Sequence, residues 1–181
     1  GKSTLLKIIF GIVTADFKFV RVDGVVKSKI SDLLNEISYL PQDNFIPNSF
    51  SIKKTIQLSI IKEKLQDFYA DKIIQSMLNK KTKHLSSGEL RYLEIKLILN
   101  NTSKFVLLDE PYSGLSPIMI EKINGLITAM SGVKGIIITD HNYENVIKIS
   151  TKLVLIKEAK MHHLKDKSEL VEKGYLKSEI I

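Results

Sequence analysis

Phe105-Val106-Leu107-Leu108-Asp109-Glu110-Pro111 is the stretch on which the reading of this chain turns. Four apolar residues run directly into two adjacent carboxylates, and a proline follows. A short apolar run of this kind fits a strand buried on both faces, as in a parallel sheet. Pro111 has no N–H with which to extend the ladder, so the strand is predicted to stop before it. Asp109 and Glu110 then stand at its carboxyl end, where open α/β sheets place their ligands. Uncompensated buried charge is expensive. The pair therefore reads either as the partner of a metal ion or a polarised water, or as a strand-end turn in open solvent.

Composition bounds the answer. A length of 181 residues leaves room for one sizeable core, or one domain with a subdomain. Hydrophobic content of 44% and charged content of 26% are ordinary for a soluble globular protein. No apolar run approaches the roughly 18 residues of a membrane span, and no secretory leader is expected. The absence of cysteine excludes disulfides and cysteine-ligated zinc or iron–sulfur sites. A cytosolic location is the expectation. A net charge of +7 invites a nucleic-acid partner, but Arg21 and Arg91 are the only arginines. Arginine is the residue suited to bidentate contacts with phosphate and guanine, and the lysines are scattered, so no nucleic acid is expected. The sequence opens at Gly1 rather than at a methionine and reads as a piece of something longer.

From the start, Gly1-Lys2-Ser3-Thr4 precedes the helical cluster Leu5–Phe10, which Gly11 is placed to stop. This is the second half of the phosphate-loop pattern G-x-x-x-x-G-K-[ST]. In that pattern N–H groups at the helix start cradle phosphate, the lysine neutralises it and the serine hydroxyl serves Mg²⁺. Alone, so short a match also fits a plain helix start. Phe17 to Val26 alternates around the turn Asp23-Gly24 and predicts an antiparallel pair. Ile37–Leu40 is a short strand ending in Pro41-Gln42-Asp43, where Gln42 either faces a ligand or caps a turn. Residues 51 to 83 carry helical spacing and form a helical subdomain between two halves of the sheet domain. Leu85-Ser86-Ser87-Gly88-Glu89 then opens a helix with Leu90, Leu93, Leu97 and Ile98 on its buried side. That opening is either an anion site or an ordinary serine cap.

Beyond Pro111, Ser113–Pro117 is a turn and Ile118–Met130 a helix. Gly135–Thr139 is predicted as a second buried strand with Asp140-His141 at its mouth. Leu153–Ile156 and Met161–Leu164 read as a closing hairpin, followed by a short amphipathic helix from Ser168. His162 and His163 are adjacent on a strand and point to opposite faces, so they cannot share one metal ion.

Each piece is modest by itself, but their order is informative. A phosphate-loop half, a strand-end Gln, a helix-opening Ser-Ser-Gly-Glu, a strand-end Asp-Glu and a strand-end His follow one another. This resembles the ATP-binding cassette of ABC transporters over essentially the whole chain. The resemblance implies an α/β fold of the P-loop NTPase, RecA-like type: a parallel sheet core, an inserted helical subdomain and a small antiparallel part, with the N-terminal strands missing. It divides the partial ATPase domain 1–181 into a core of 1–50 and 101–181 and a helical subdomain of 51–100 carrying the signature motif. It also implies roles. Gly1, Lys2, Ser3 and Thr4 would bind ATP phosphates. Ser3, Gln42 and Asp109 would attend Mg²⁺, Glu110 would be the general base, and Gln42 and His141 would complete the catalytic group. Ser86, Gly88 and Glu89 match the signature that closes on the ATP of a second, head-to-tail ATPase subunit, and Ser87, between them, would bind ATP with them. ATP hydrolysis would power a separate transmembrane permease from the cytoplasmic face of the membrane. Two alternatives are a soluble cassette ATPase of the translation-factor kind and a degenerate cassette that only docks.

Three departures from the family pattern stand out. Ser87 replaces the first glycine of L-S-G-G-Q/E, Ser116 replaces the usual aspartate of the D-loop, and the first half of the phosphate loop is absent. The 181-residue chain is therefore expected to bind ATP poorly, and nanomolar-to-low-micromolar binding would contradict that. Within the family, Pro111–Pro117, Ile138–Asn142, Ser168-Glu169-Leu170 and Gly174-Tyr175-Leu176 look closest to lipopolysaccharide-export and branched-chain amino-acid transporter subunits.

Overall fold

Helix α1 (Lys2–Phe10) leads into the short strands β1 (Arg21–Val22) and β2 (Val25–Val26), helix α2 (Ile30–Leu33) and strand β3 (Ile37–Leu40). Helices α3 (Ile52–Ser59), α4 (Leu65–Tyr69) and α5 (Lys72–Met77) follow, then the long α6 (Ser87–Asn100). Strand β4 (Phe105–Asp109), helix α7 (Pro117–Met130), strand β5 (Gly135–Thr139) and helix α8 (Tyr143–Ile149) come next. The hairpin β6 (Leu153–Lys157) and β7 (Lys160–Leu164) and helix α9 (Ser168–Glu172) complete the order. The computed structural model describes residues 1–27, 29–166, 168–172 and 174. Tyr175 and Leu176, part of the likeness to the export subunits, lie outside the described residues.

The Phe105 run is the middle strand of a parallel sheet ordered β3-β4-β5. Leu107 lies opposite Tyr39 on one side and Ile137 on the other. Alternation sorts its side chains to two faces. Val106 and Leu108 enter the large core with α6 and α7, while Leu107 joins Leu6, Leu33 and Ile37 beneath α1. All three are at most 1% exposed, and burial of each contributes about 1.5–3 kcal/mol. A strand covered on both faces is what the sequence predicted.

Gly135 starts β5 against this strand, and a Cβ there would meet the Phe105 ring at 2.5 Å. A side chain there would force the Phe105 ring to move. The rest of β5 departs from expectation. It is the edge of the sheet, and Ile137 is 47% exposed while Ile136 and Ile138 pack inward. Apolar composition alone does not distinguish a strand covered on one face from one covered on two.

Helix α6 is also more buried than its expected one-sided pattern. Every residue from Leu90 to Leu99 is buried, including Arg91, Glu94 and Lys96. The helix lies between β3 and α7 and shares one continuous core with α3, α4 and α5, so no side of it is left to solvent. Its polar residues survive there because each finds a partner, as described below.

The antiparallel pair predicted over 17–26 is only two residues per strand, and Phe17 and Phe19 lie before it, 87% and 56% exposed. The closing hairpin forms as expected, with β6 and β7 in antiparallel register. Helices α2 and α8 went unassigned in the sequence, being short segments without strong periodicity. Among the described residues, no helix is long and apolar enough to cross a membrane.

Candidate functional site

The carboxyl ends of β3, β4 and β5 open on one side of the sheet, and α1 starts there. Gly1 is the N-cap of α1 and supplies no side chain to its first turn. The unpaired N–H groups of such a turn, with the positive end of the helix dipole, suit an anion. At the other end Gly11 closes the helix at φ 98°, a left-handed conformation that glycine adopts without strain.

Asp109 is fully buried at the end of β4. Its Oδ1 accepts from Ser3 Oγ and from Thr139 Oγ1, each at 2.8 Å, and its Oδ2 accepts from Tyr39 Oη at 2.8 Å. Three hydroxyls from α1, β5 and β3 therefore satisfy one carboxylate, which answers the question raised by its burial. Burial, then the Asp109 carboxylate, pushes the Tyr39 phenol above its ordinary range, so it stays a donor. Gln42, exposed just after β3, reaches Ser3 Oγ with its Nε2 at 3.3 Å.

Glu110 turns away from the strand at φ 48°. A non-glycine residue in this left-handed region is strained and is held there by its surroundings. Its N–H donates to the Thr139 carbonyl at 2.7 Å, continuing the ladder, and its own carbonyl accepts from Arg91 Nη2 at 3.1 Å. The half-buried carboxylate lies 3.3 Å from His141 Nε2, whose ring is otherwise exposed. The strand-end Asp-Glu and the strand-end His thus meet.

Lys2 borders a cavity of about 110 Å³ together with Thr139, Asp140 and Tyr143. Thr4 is exposed on α1. The signature residues stand elsewhere. Ser86 caps α6: its Oγ accepts the Glu89 N–H at 3.2 Å, and the Glu89 carboxylate accepts the Ser86 N–H at 2.8 Å. This is a reciprocal capping box. Glu89 also pairs with Lys80 at 3.1 Å, and the Ser86 N–H lowers its carboxyl first, with Lys80 adding to the shift. Ser87 is exposed, and a Cβ added at Gly88 would come into van der Waals contact with Met119 and Leu115. Among the described residues, no hydrogen bond joins Ser86, Ser87, Gly88 or Glu89 to Ser3, Gln42, Asp109 or Glu110. Ser116, at the D-loop position, caps α7 by accepting the Met119 N–H at 3.4 Å.

Three further contributors were not singled out in the sequence. Tyr39 and Thr139 belong to the Asp109 cluster, and their signal is a hydroxyl at a strand position one or two residues before the mouth. Arg91 has no local signal. From α6 it donates to the carbonyls of Pro41 at 2.8 Å and of Asp109 and Glu110 at 3.1 Å each, and it pairs with Glu94 at 3.4 Å. Glu94 in turn accepts the N–H groups of Phe45 and Ile46.

A family model described as ABC transporter matches residues 1–113, more than half of the chain. The chain belongs to the ABC transporter family. The ABC transporter A family member 11 of Dictyostelium discoideum is 29% identical over 92% of this chain, which spans only 22% of that relative's length. The lipopolysaccharide export ATP-binding protein LptB of Haemophilus influenzae is 27% identical over 89% of this chain and 73% of its own, and that of Escherichia coli K12 26% identical over 98% and 79%. Among solved structures, an ATP-binding subunit of an ABC transporter superposes with a TM-score of 0.79 at 15% identity, covering 98% of this chain and 79% of the other. A dimeric post-hydrolysis state of the ATP-binding cassette MJ0796 bound to ADP and Pi gives 0.74 at 18% identity, covering 92% and 82%. The ABC-cassette fold expected from the motif order is the fold observed.

Proposed function

We propose that this ABC-family chain is the ATP-binding and ATP-hydrolysing subunit of a transporter whose membrane-spanning part is a separate chain. The observation that carries this reading is the meeting of Ser3 and Asp109 beside the Glu110–His141 pair, from three segments far apart in sequence. The donor set suits Mg²⁺: a hydroxyl, an amide and a carboxylate are hard oxygen-rich ligands. Among the described residues no three acidic or histidine side chains gather to cage an ion, which fits a cation that keeps water and substrate phosphate in its shell. Ser3, Gln42 and Asp109 would hold it, and when bound it neutralises phosphate charge and polarises phosphoryl oxygens.

The chain's own residues account for the rest. Lys2 and the open first turn of α1 bind phosphate. Glu110 takes a proton from the attacking water as general base, which contributes about 10²–10⁴-fold. His141 orients Glu110 and donates toward the terminal phosphate. The exposed start of α6, with Ser86 to Glu89, would face the ATP held by a second subunit. ATP would then bridge two head-to-tail copies at two composite sites. The helical part 51–100 would form a subdomain carrying the signature residues, with 1–50 and 101–181 as the core, and the subunit would work on the cytoplasmic face of the membrane.

The test is phosphate release from ATP by the full-length protein, with and without Mg²⁺. Hydrolysis should require Mg²⁺, and Glu110→Gln should lower kcat at least about 100-fold while ATP is still bound. A parent protein that releases no phosphate, or a Glu110→Gln variant as active as the parent, would refute the reading.

A further inference from the structure

The two strand-end loops that carry Glu110 and His141 are joined by a closed ring of hydrogen bonds that none of the site's expected residues supplies. Asp140 is buried, and its Oδ2 accepts the N–H of Tyr112 at 2.9 Å while its Oδ1 accepts the N–H of Asn142 at 2.8 Å. From the other end of Tyr112, Oη donates to Asn124 Oδ1 at 2.5 Å. Asn124 Nδ2 donates to Asn145 Oδ1 at 3.2 Å, and Asn145 Nδ2 donates to Asn142 Oδ1 at 2.9 Å. The circuit thus returns to the residue after His141. It draws its members from the loop after β4, from α7, from the loop after β5 and from α8.

The ring has two features that a casual polar contact lacks. Tyr112 and Asn124 are 3% and 7% exposed, so their polar atoms have little access to water and depend on each other. The donors also run in one direction, Tyr112 to Asn124 to Asn145 to Asn142, so the Asn124 and Asn145 amides each use both halves. Burial, then Asp140, pushes the Tyr112 phenol above its ordinary range, which keeps it a donor. Loss of the Asn124 or the Asn145 amide strands both its neighbours.

We infer that Asn124 is a positioning residue for the hydrolysis proposed above: through Tyr112 and Asn145 it fixes the Glu110 loop against the His141 loop. Asn124 touches no reacting atom. Glu110 lies two residues before Tyr112, and His141 lies between the two residues that close the ring. The separation of Glu110 Oε1 and His141 Nε2, 3.3 Å, is therefore held by the circuit together with Arg91 and Thr139 on the Glu110 backbone. Near-attack geometry is sensitive to shifts of this scale, with about 1 Å costing up to ~100-fold.

The inference rests on the ATPase reading, and its test has two arms so that the two can fail separately. In the first, Asn124→Leu and Tyr112→Phe are compared with Ile127→Ala, a core substitution on α7 outside the ring. Both ring variants should lower kcat about tenfold or more with KM for ATP within about twofold, whereas Ile127→Ala should change neither. In the second, amide hydrogen exchange is followed at Tyr112 and Asn142, whose N–H groups both bond Asp140. Exchange at these two should speed up in the ring variants while Val106 and Leu108 in β4 stay protected. Unchanged exchange at Tyr112 and Asn142 overturns the ring whether or not the parent hydrolyses ATP. A kcat loss equal to that of Ile127→Ala overturns the positioning role. A parent without ATPase activity refutes the ATPase reading instead.

Discussion

Replacing Arg91 with methionine removes the one side chain that holds three backbone carbonyls of the site and neutralises Glu94. Arg91 is 5% exposed and Glu94 not at all, so water cannot replace what is lost. Breaking a buried pair by removing one partner costs about 3–5 kcal/mol. The carbonyls of Pro41, Asp109 and Glu110 lose a charged donor as well, so the expected loss lies at or above the upper end. For a chain of this size that is a fall in Tm of about 10 °C or more. A second substitution separates the causes. Burial raises the Glu94 carboxyl pKa above its ordinary value, against the lowering effects of Phe45 N–H, Arg91 and Ile46 N–H. A carboxyl raised in the folded state opposes folding at neutral pH, and the opposition fades as pH falls through the folded value toward the ordinary carboxyl range. Without Arg91 that folded value rises further. The deficit of Arg91→Met relative to the parent should therefore shrink on acidification, and Arg91→Met/Glu94→Gln should be more stable at pH 7 than Arg91→Met alone. Urea titrations of the parent, both single variants and the double variant, at two pH values, give all the differences. An Arg91→Met loss below about 1 kcal/mol, or a deficit that acid and Glu94→Gln both leave unchanged, would refute the reasoning.

Other outcomes follow from the same structure. Asp71 caps α5 through the N–H groups of Ile73 and Ile74 and accepts from Tyr92 and Lys96. Burial pushes its carboxyl up, but those bonds outweigh it and the net shift is downward. Its stabilisation is present above the ordinary carboxyl range and is lost as pH falls through the lowered folded value, so Asp71→Asn should lose about 1–3 kcal/mol at pH 7 in urea titration and almost nothing more on acidification. Tyr39→Phe removes one of the three hydroxyls on buried Asp109 and should cost about 1.5–3 kcal/mol in the same assay; no measurable loss would mean that Ser3 and Thr139 suffice. Leu107→Ala should cost about 2–5 kcal/mol, and Ile137→Ala, one strand over in the same row, less than about 1 kcal/mol. Equal losses would show β5 to be covered on both faces.

The middle strand and the residues at its mouth were legible in local sequence. An apolar run closed by two acids and a proline has few ways to fold, and Phe105–Asp109 with Gly135–Thr139 formed as strands over the residues expected. The order of short motifs was legible too, because Gly1–Thr4 and Ser86–Glu89 open helices and Gln42, Asp109-Glu110 and His141 stand at strand ends. How those pieces are paired and held follows from long-range packing. Asp109 is balanced by hydroxyls from three other elements, and Glu110 is held at positive φ by Arg91 from α6 and by the ladder from β5. His141 is flanked by a ring that reaches α7 and α8. The side-chain partners of Asp109 and Glu110 named here are 19 to 106 positions away in sequence, and nothing in local periodicity records them. Burial has the same limit: Ile136 to Ile138 are alike in sequence, and only the place of β5 at the sheet edge leaves Ile137 half in solvent. A run of apolar residues specifies a strand, but packing decides which of its faces is covered and which buried charge finds its partner.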